Sequence, residues 1–464
     1  MEQYLVKKVE KPIDWCVTVP GSKSMTNRAL LMAALSSETV TLEGVLFSDD
    51  SRHFLSSLIA LGFEVNVEEE QKRVTVKGEK GSIPKKEAEI DVGSAGTAAR
   101  FLTAMLGMSD GCYTINASEQ MKKRPMKDLF VLLEKAGATI TYLEKEGFLP
   151  VKISGRLAVL QKNGSEKNCG YEPLKCRSER TVDSGVDDKL TVELDISKST
   201  QFLSAMLLIS PMIPQGLHIH ITSEKTDGSY IRITRSMMED WGVQTQFDGR
   251  NYEVLPGAAY KKTTYIVEPD MSAACYFYGA AAITGGKAVV SHVHLDNTQG
   301  DKRFLAVLEK LGCKVMDTEK GICVEGPAHG NIHGIDIDMN DFSDQTMTLA
   351  AMAPYADAPV YISHIGHIRL QESNRIHAIV TELRRIGIRC EEEEDAITIY
   401  PGVPHPAAIE TYEDHRMAMA FSLLGLRTEG ITIKDPMCCK KTFEDYFKIL
   451  DELTHNTGTI KEDR

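Results

Sequence analysis

Apolar and polar positions along this chain fall into one form that recurs six times. A short alternating segment of strand type leads through a polar turn into a helix rich in Ala, Leu and Met. The first three passages are CVTVP, GSKSMTNR, ALLMAAL; then IDV, GSAGTAAR, FLTAML; then LTVELDI, SKSTQ, FLSAMLLI. The fourth to sixth are TYIVE, PDMSAA, CYFYGAAAI; then GIDIDM, NDFSDQT, MTLAAMA; then AAIETY, EDHR, MAMAFSLLGL, where the strand is least clear. One polar residue near each helix start marks the period. Ser24, Thr97, Thr200, Ser272, Thr346 and His415 lie 73, 103, 72, 74 and 69 residues apart.

A second helix follows in each repeat, and five of the six close on glycine: Gly62, Gly137, Gly242, Gly312 and Gly387. Glycine suits the position just past a helix, where positive φ makes a side chain clash. These glycines lie 75, 105, 70 and 75 residues apart, so both marks carry the same excess in the third repeat. The polar stretch 155–188 accounts for that excess as a surface insertion. The sixth copy is the segment from Lys441 to Leu453, which ends without glycine. Each repeat therefore reads as strand, helix, strand, helix and further strand, an α/β unit of βαβαββ type. Three repeats to a domain is the natural partition. It predicts one domain over 21–267 and another from 1–20 with 268–464, the chain crossing at Pro20 and at Glu268–Pro269.

Composition narrows the function. A chain of 464 residues exceeds one ordinary core, which agrees with two domains. The 42% hydrophobic and 26% charged residues are those of a globular protein. Met1–Glu10 has no apolar core of a signal peptide, and no window is apolar enough to span a membrane, so a cytoplasmic location is the default. Ten scattered cysteines include no CxxC pair and no zinc spacing, which predicts reduced, mostly buried thiols. A net charge of −13 speaks against a nucleic-acid partner, because phosphate backbones need a basic face. Small anions need only a local cationic pocket.

The candidates for such a pocket cluster at helix starts, where unpaired N–H groups and the helix dipole favour anions. Lys23 and Arg28 flank the first start, Arg100 the second and Arg416 the sixth; Arg124, Arg369, Arg375 and Lys441 lie in KKRPM, HIRLQESNRIHAI and CCKKTF. Ser24 and Arg28, and Gln371 and Arg375, are four apart; Glu372 and Arg375 are three apart, a spacing that predicts one shared helix face. Glu372 there serves either as a proton carrier or as an ordinary cap. No GxxxxGK[ST] loop, no GxGxxG after a strand and no HExxH occurs. A reaction without metal, nucleotide or other cofactor is expected.

The motifs PGSKSMTNRALLMAAL, GSAGTAARFL, KKRPM, KSTQFL, SYIRIT, FSDQTMTLAA, RLQESNRIHAI, EDHRMAMAFSLL and KKTFEDYF resemble, in order, those of the 5-enolpyruvylshikimate-3-phosphate synthase family. They span nearly the whole chain outside the insertion. The resemblance implies two domains of three βαβαββ-type repeats with the active site in the interdomain cleft, and a monomer with two small-molecule substrates and no nucleic-acid or membrane partner. It implies that the 5-hydroxyl of 3-phosphoshikimate adds to C2 of phosphoenolpyruvate, after which phosphate leaves. By the same resemblance Lys23, Ser24 and Arg28 would hold the shikimate ring and its neighbouring phosphoenolpyruvate. Gly96 would let that substrate come close, and Arg124 would grip its phosphate. Ser199, Thr200 and Gln201 would bind the shikimate phosphate, with Tyr230 lining that side and Gln201 reaching phosphoenolpyruvate as well. Arg375, Arg416 and Lys441 would complete the phosphoenolpyruvate site. Asp344 would take the hydroxyl proton, Glu372 would protonate the methylene carbon, and Lys23 would share in catalysis.

Three positions depart from the family pattern. Gln371 replaces a phosphate-binding lysine and His367 an asparagine, both on the 3-phosphoshikimate side. Asp227 replaces a serine, with Ser229 close by. Three other readings compete. The sister enzyme that acts on UDP-N-acetylglucosamine shares the repeats but carries a reactive loop cysteine, whereas Cys112 reads as part of a strand in DGCYTINAS. An RNA-end-binding repeat protein is opposed by the charge and the lack of a basic stripe. A non-catalytic anion binder is opposed by the two carboxylates, Asp344 and Glu372.

Overall fold

The computed structural model describes residues 2–159, 189–197 and 199–455. Among them the strands form five four-stranded sheets and one of three. In the second repeat Glu87–Asp91 runs parallel to Cys112–Asn116. That strand pairs antiparallel with Val151–Ser154, which pairs antiparallel with the edge strand Thr139–Tyr142. The third repeat copies the order with Leu190–Leu194, Leu217–Ile221, Asn251–Val254 and Thr245–Phe247. The fifth copies it with Ile335–Asp338, Val360–Ser363, Ala396–Ile399 and Cys390–Glu392. The first two strands are parallel because a whole helix lies between them, long enough to return the chain to the same end.

Two strands go where the sequence order does not send them. The reading gave CVTVP to the first repeat and TYIVE to the fourth, and the sheets exchange them. Asp14–Val17 lies parallel to Lys287–Ser291 in the fourth repeat's sheet, and Thr264–Ile266 stands beside Thr39–Glu43 in the first repeat's. Hydrogen-bonding partners, rather than adjacency in sequence, decide where a strand sits. Just past both strands the two passages run side by side. Ser22 N–H donates to Glu268 O at 2.8 Å, and Asp270 N–H to Pro20 O at 2.8 Å. A Cβ on Gly21 there would strike the Gly44 carbonyl oxygen, so only glycine fits.

The sixth repeat is also completed from afar. Ala407–Ile409 lies parallel to Ile431–Lys434, and the amino-terminal strand Gln3–Leu5 pairs antiparallel on the other side. Contacts divide the chain into one unit of Met1–Thr26, Gly44–Asp49 and Ile266–Arg464, and another of Asn27–Glu43 and Asp50–Tyr265. The sequence reading set the crossings at 20 and 268. In the observed division Lys23 and Ser24 fall in the first unit and Arg28 in the second.

The first helix of each repeat is buried along nearly its whole length, which its Ala-rich composition allows because small side chains let neighbours approach. In the first unit Met271–Thr284, Thr346–Met352 and His415–Arg427 pack on one another. In the second unit Gly96–Gly107 is buried throughout and packs on Gln201–Leu208. The second helices are amphipathic and bury one stripe, as Arg303–Lys310 does with Phe304, Leu305, Val307 and Leu308. The glycines that close them have the expected positive φ, 91° at Gly62, 107° at Gly137, 92° at Gly242, 97° at Gly312 and 81° at Gly387.

Residues 160–188 of the expected insertion, with Cys169 and Cys176, lie outside the described residues. The eight described cysteines are free thiols, and five of them are buried. Among the described residues no helix is long and apolar enough to cross a membrane.

Gly242 isolates the cost of its backbone conformation. An added Cβ would meet nothing nearer than the Ala259 carbonyl at 3.9 Å, yet φ is 92°. Gly242→Ala should lower the unfolding free energy by roughly 1–2 kcal/mol in urea titration, through backbone strain alone.

Candidate active site

The first unit gathers its charged residues around one guanidinium. Arg375 opens the helix Arg375–Arg385 and is 1% exposed. Its Nε donates to Asp414 Oδ2 at 2.8 Å, Nη1 to Asp344 Oδ1 at 2.9 Å and Nη2 to Glu372 Oε2 at 2.8 Å. Burial disfavours the charge, but Asp414, Glu372 and Asp344 outweigh it and raise the arginine's pKa further. Asp344 also accepts from Arg416 Nη2 at 2.8 Å, and Lys441 Nζ stands 3.6 Å from Glu372 Oε1. Each of the two carboxylates thus touches Arg375 and one further cation.

Asp414 fixes this arrangement. It is fully buried and caps the helix His415–Arg427, its Oδ1 accepting from Arg416 N–H at 3.0 Å. Ser373 Oγ adds a bond to Oδ2 at 3.1 Å. His415 is buried beside it; burial, then Lys23 and Arg416, hold its pKa well below the ordinary value, so the ring is neutral. Asp270 plays the matching part at the fourth repeat. It caps Met271–Thr284 through Ala273 N–H at 3.1 Å and also accepts from Lys23 N–H at 3.3 Å.

The second unit offers a different surface. Arg28 is buried, with its guanidinium carbon 5.3 Å from the centre of the Phe101 ring and 5.9 Å from that of Tyr230. Its Nε donates to Thr234 Oγ1 at 2.8 Å and an Nη to Tyr230 O at 3.1 Å. Burial lowers its pKa to about 10, which leaves it charged at neutral pH. Gly96 begins the helix Gly96–Gly107, whose start carries no side-chain cap. A Cβ on Gly96 would strike the guanidinium of Arg124 and lie 2.7 Å from that of Arg100. The helix Gln201–Leu208 likewise lacks a cap from Thr200, although Ser199 Oγ accepts from Gln201 N–H at 3.3 Å.

Within each unit the structure joins some of the predicted residues and not others. In the first, Asp344, Glu372, Arg375, Arg416 and Lys441 form one charge cluster, with Lys23 close enough to act on His415. His367 Nε2 lies 2.8 Å from Ser343 Oγ, next to Asp344. In the second, Arg124 lies against Gly96, and Tyr230 against Arg28. The shared helix face for Gln371, Glu372 and Arg375 is not formed. Asn374 caps the helix through His377 N–H at 3.2 Å, so it begins at Arg375, and Glu372 reaches the arginine from the preceding turn. Arg369 is not at the cluster: it binds Glu392 at 2.7 Å and Glu394 O at 3.0 Å. Asp227 is matched by Arg232 at 2.7 Å. Cys112 lies within a strand, 3.3 Å from Ser154 Oγ.

Sequence reasoning missed Asp414, and treated His415 only as a mark of the repeat. The signal for Asp414 was present, since an Asp just before an apolar helical run is a cap signature. It also missed that two of the six helix starts are occupied by the chain's own acids, Asp270 and Asp414.

Comparison with known proteins agrees with the motifs. The family model of EPSP synthase (3-phosphoshikimate 1-carboxyvinyltransferase) matches residues 7–166 and 160–450. A 3-phosphoshikimate 1-carboxyvinyltransferase of Trichormus variabilis is 42% identical over 448 residues, covering 96% of this chain and 98% of its own. One from Sulfurovum sp. is 39% identical over 453 residues, with 96% and 98% covered. The solved EPSP synthase of Acinetobacter baumannii shares the fold, with a TM-score of 0.74 over 97% of this chain and 98% of that one at 23% identity.

Removing the Asp414 carboxylate should expose how much the cluster depends on it. Asp414→Ala leaves a buried guanidinium short of a partner and should cost roughly 3–5 kcal/mol of unfolding free energy. Ser373→Ala, which removes only one hydroxyl, should cost about 1 kcal/mol in the same denaturant titration.

Proposed function

The chain belongs to the EPSP synthase (3-phosphoshikimate 1-carboxyvinyltransferase) family, and from that premise we propose which of its residues carry each part of the reaction. The enzyme transfers the enolpyruvyl group of phosphoenolpyruvate to the 5-hydroxyl of 3-phosphoshikimate, and phosphate is released; this is a step of the shikimate pathway.

The observation that carries the proposal is the pair of carboxylates on Arg375. Asp344 takes the proton of the attacking hydroxyl as its oxygen bonds to C2. Glu372 enters the step as the carboxylic acid and gives its proton to the methylene carbon; the carboxylate so formed takes a proton back from that carbon when phosphate departs and the double bond re-forms. Both carboxylates are hydrogen-bonded to arginine, which aims them. Arg375, Arg416, Lys441 and Lys23 stabilise the carboxylate and phosphate of phosphoenolpyruvate as charge shifts towards the leaving group.

In the other unit, Ser199, Thr200 and Gln201 bind the shikimate phosphate with hydroxyls and the uncapped helix N–H groups. Arg28 and Tyr230 line the ring, and Arg124 beside Gly96 grips the phosphate of phosphoenolpyruvate; Ser24, which belongs to the first unit, is assigned to the ring as well. His367 and Gln371 are assigned to 3-phosphoshikimate as well. Arg232 offsets the extra charge of Asp227, so the loss of a cation at Gln371 is the departure with consequences.

Mixing the protein with phosphoenolpyruvate and 3-phosphoshikimate should release phosphate, and UDP-N-acetylglucosamine should release none; the reverse pattern would overturn the assignment. Glu372→Gln keeps size but carries no transferable acid proton. Its kcat should fall roughly 10²–10⁴-fold with KM nearly kept. Arg124→Ala should instead raise the KM for phosphoenolpyruvate about 10- to 150-fold, the equivalent of one charge-assisted contact. Steady-state kinetics on the two variants separates the roles. A normal kcat in Glu372→Gln would leave that residue only a partner of Arg375.

A further inference from the structure

Asp301 is a buried carboxylate that the roles above leave unused. It lies in the short turn Gly300–Lys302, ahead of the helix Arg303–Lys310, and is 7% exposed. Its Oδ2 accepts from the hydroxyl of Ser272, in the first turn of Met271–Thr284. The same oxygen accepts from Gln345 Nε2 at 3.1 Å. Gln345 is fully buried, accepts from Thr348 Oγ1 at 2.9 Å and directly follows Asp344 in the chain. Both donors to Asp301 are neutral, an uncommon setting for a buried acid.

We infer that Asp301 is a positioning residue for the transfer reaction, tying the start of the helix Met271–Thr284 to the Asp344–Gln345 turn and setting a buried negative charge near Asp344. The inference rests on the reading of Asp344 as the base. Arg375 and Arg416 both hold Asp344 and so weaken it as a proton acceptor. A fixed anion nearby works the other way and restores proton affinity. The interaction is mutual. Burial, then the Asp344 charge, push the Asp301 pKa up to about 6, while Arg416, Ser272 and Gln345 pull it back. The Cys275 thiol, which burial keeps protonated, lies 3.8 Å from the Asp301 backbone carbonyl and is subject to the charges of both Asp301 and Asp270.

The sign of the stability effect strengthens the case. The folded pKa exceeds the ordinary value near 4, so between about pH 4 and pH 6 the folded chain holds a proton that the unfolded chain has released. Above that window the Asp301 charge works against the fold. A charge kept against stability fits a functional role better than a structural one.

Asp301→Asn keeps the shape, with its oxygen placed to accept from Gln345. Wild-type kcat should fall on the acid side with an inflection near pH 6. The variant should lose that inflection and drop roughly tenfold or more in kcat at neutral pH, with both KM values within about twofold and an unfolding temperature unchanged or higher. Ser272→Ala leaves the carboxylate but removes one donor, and should move the inflection up by about one pH unit; it tests the inference even if Asp301→Asn folds poorly. A wild-type profile without the inflection, or a destabilised Asp301→Asn that keeps it, overturns the inference. Asp344→Asn separates the two claims. If it is inactive while Asp301→Asn behaves as wild type, the inference alone fails; if it is fully active, the reading of Asp344 fails and the inference with it.

Discussion

A buried arginine charge is the constraint from which the first unit's chemistry follows. Removing a guanidinium from water is costly, and Arg375 survives at 1% exposure only because three carboxylates surround it. Asp414 is the structural member of the three, since it also caps a helix and lies wholly inside. Asp344 and Glu372 keep some exposure, 14% and 9% of their side chains, and each holds a second cation. One interaction therefore serves two purposes. It stabilises a charged core, and it fixes the direction of the Asp344 and Glu372 side chains.

The same repeat starts its helices in two ways. In the first unit two helix starts are closed by Asp270 and Asp414, so the dipole's favourable end is already taken and arginine and lysine side chains supply the positive charge. In the second unit the helices beginning at Gly96 and Gln201 lack a side-chain cap from the preceding residue, which leaves backbone N–H groups to contribute. There the cations stand close to the start, and a Cβ on Gly96 would displace the Arg124 guanidinium. The acidic composition of the whole chain is compatible with both designs, because each concentrates charge locally.

Much of the architecture was legible in the sequence because it repeats. Burial of alternate strand positions and of whole Ala-rich helices leaves a period of about 73 residues along the chain. The closing glycines were readable for a local reason: a positive φ is a demand that a single residue type answers. Pattern and resemblance also picked out Asp344, Glu372, Arg375, Arg416 and Lys441, which the structure groups, and Arg369, which it does not.

Tertiary structure alone decided the rest. The crossings read at 20 and 268 put Asp14–Val17 and Thr264–Ile266 on the sides where they pair, but not the sheet each joins, because either strand alternates well enough for either sheet and only pairing across more than 200 residues selects one. The amino-terminal strand completing the sixth repeat is the same case. The start of the helix at Arg375 was misjudged because Glu372 and Arg375 have helical spacing, while Asn374 ends the preceding turn through a bond that spacing does not show. Asp301 was invisible for a similar reason. Its environment is assembled from three distant segments, and a carboxylate's proton affinity depends on what surrounds it in space, which the order of residues does not state.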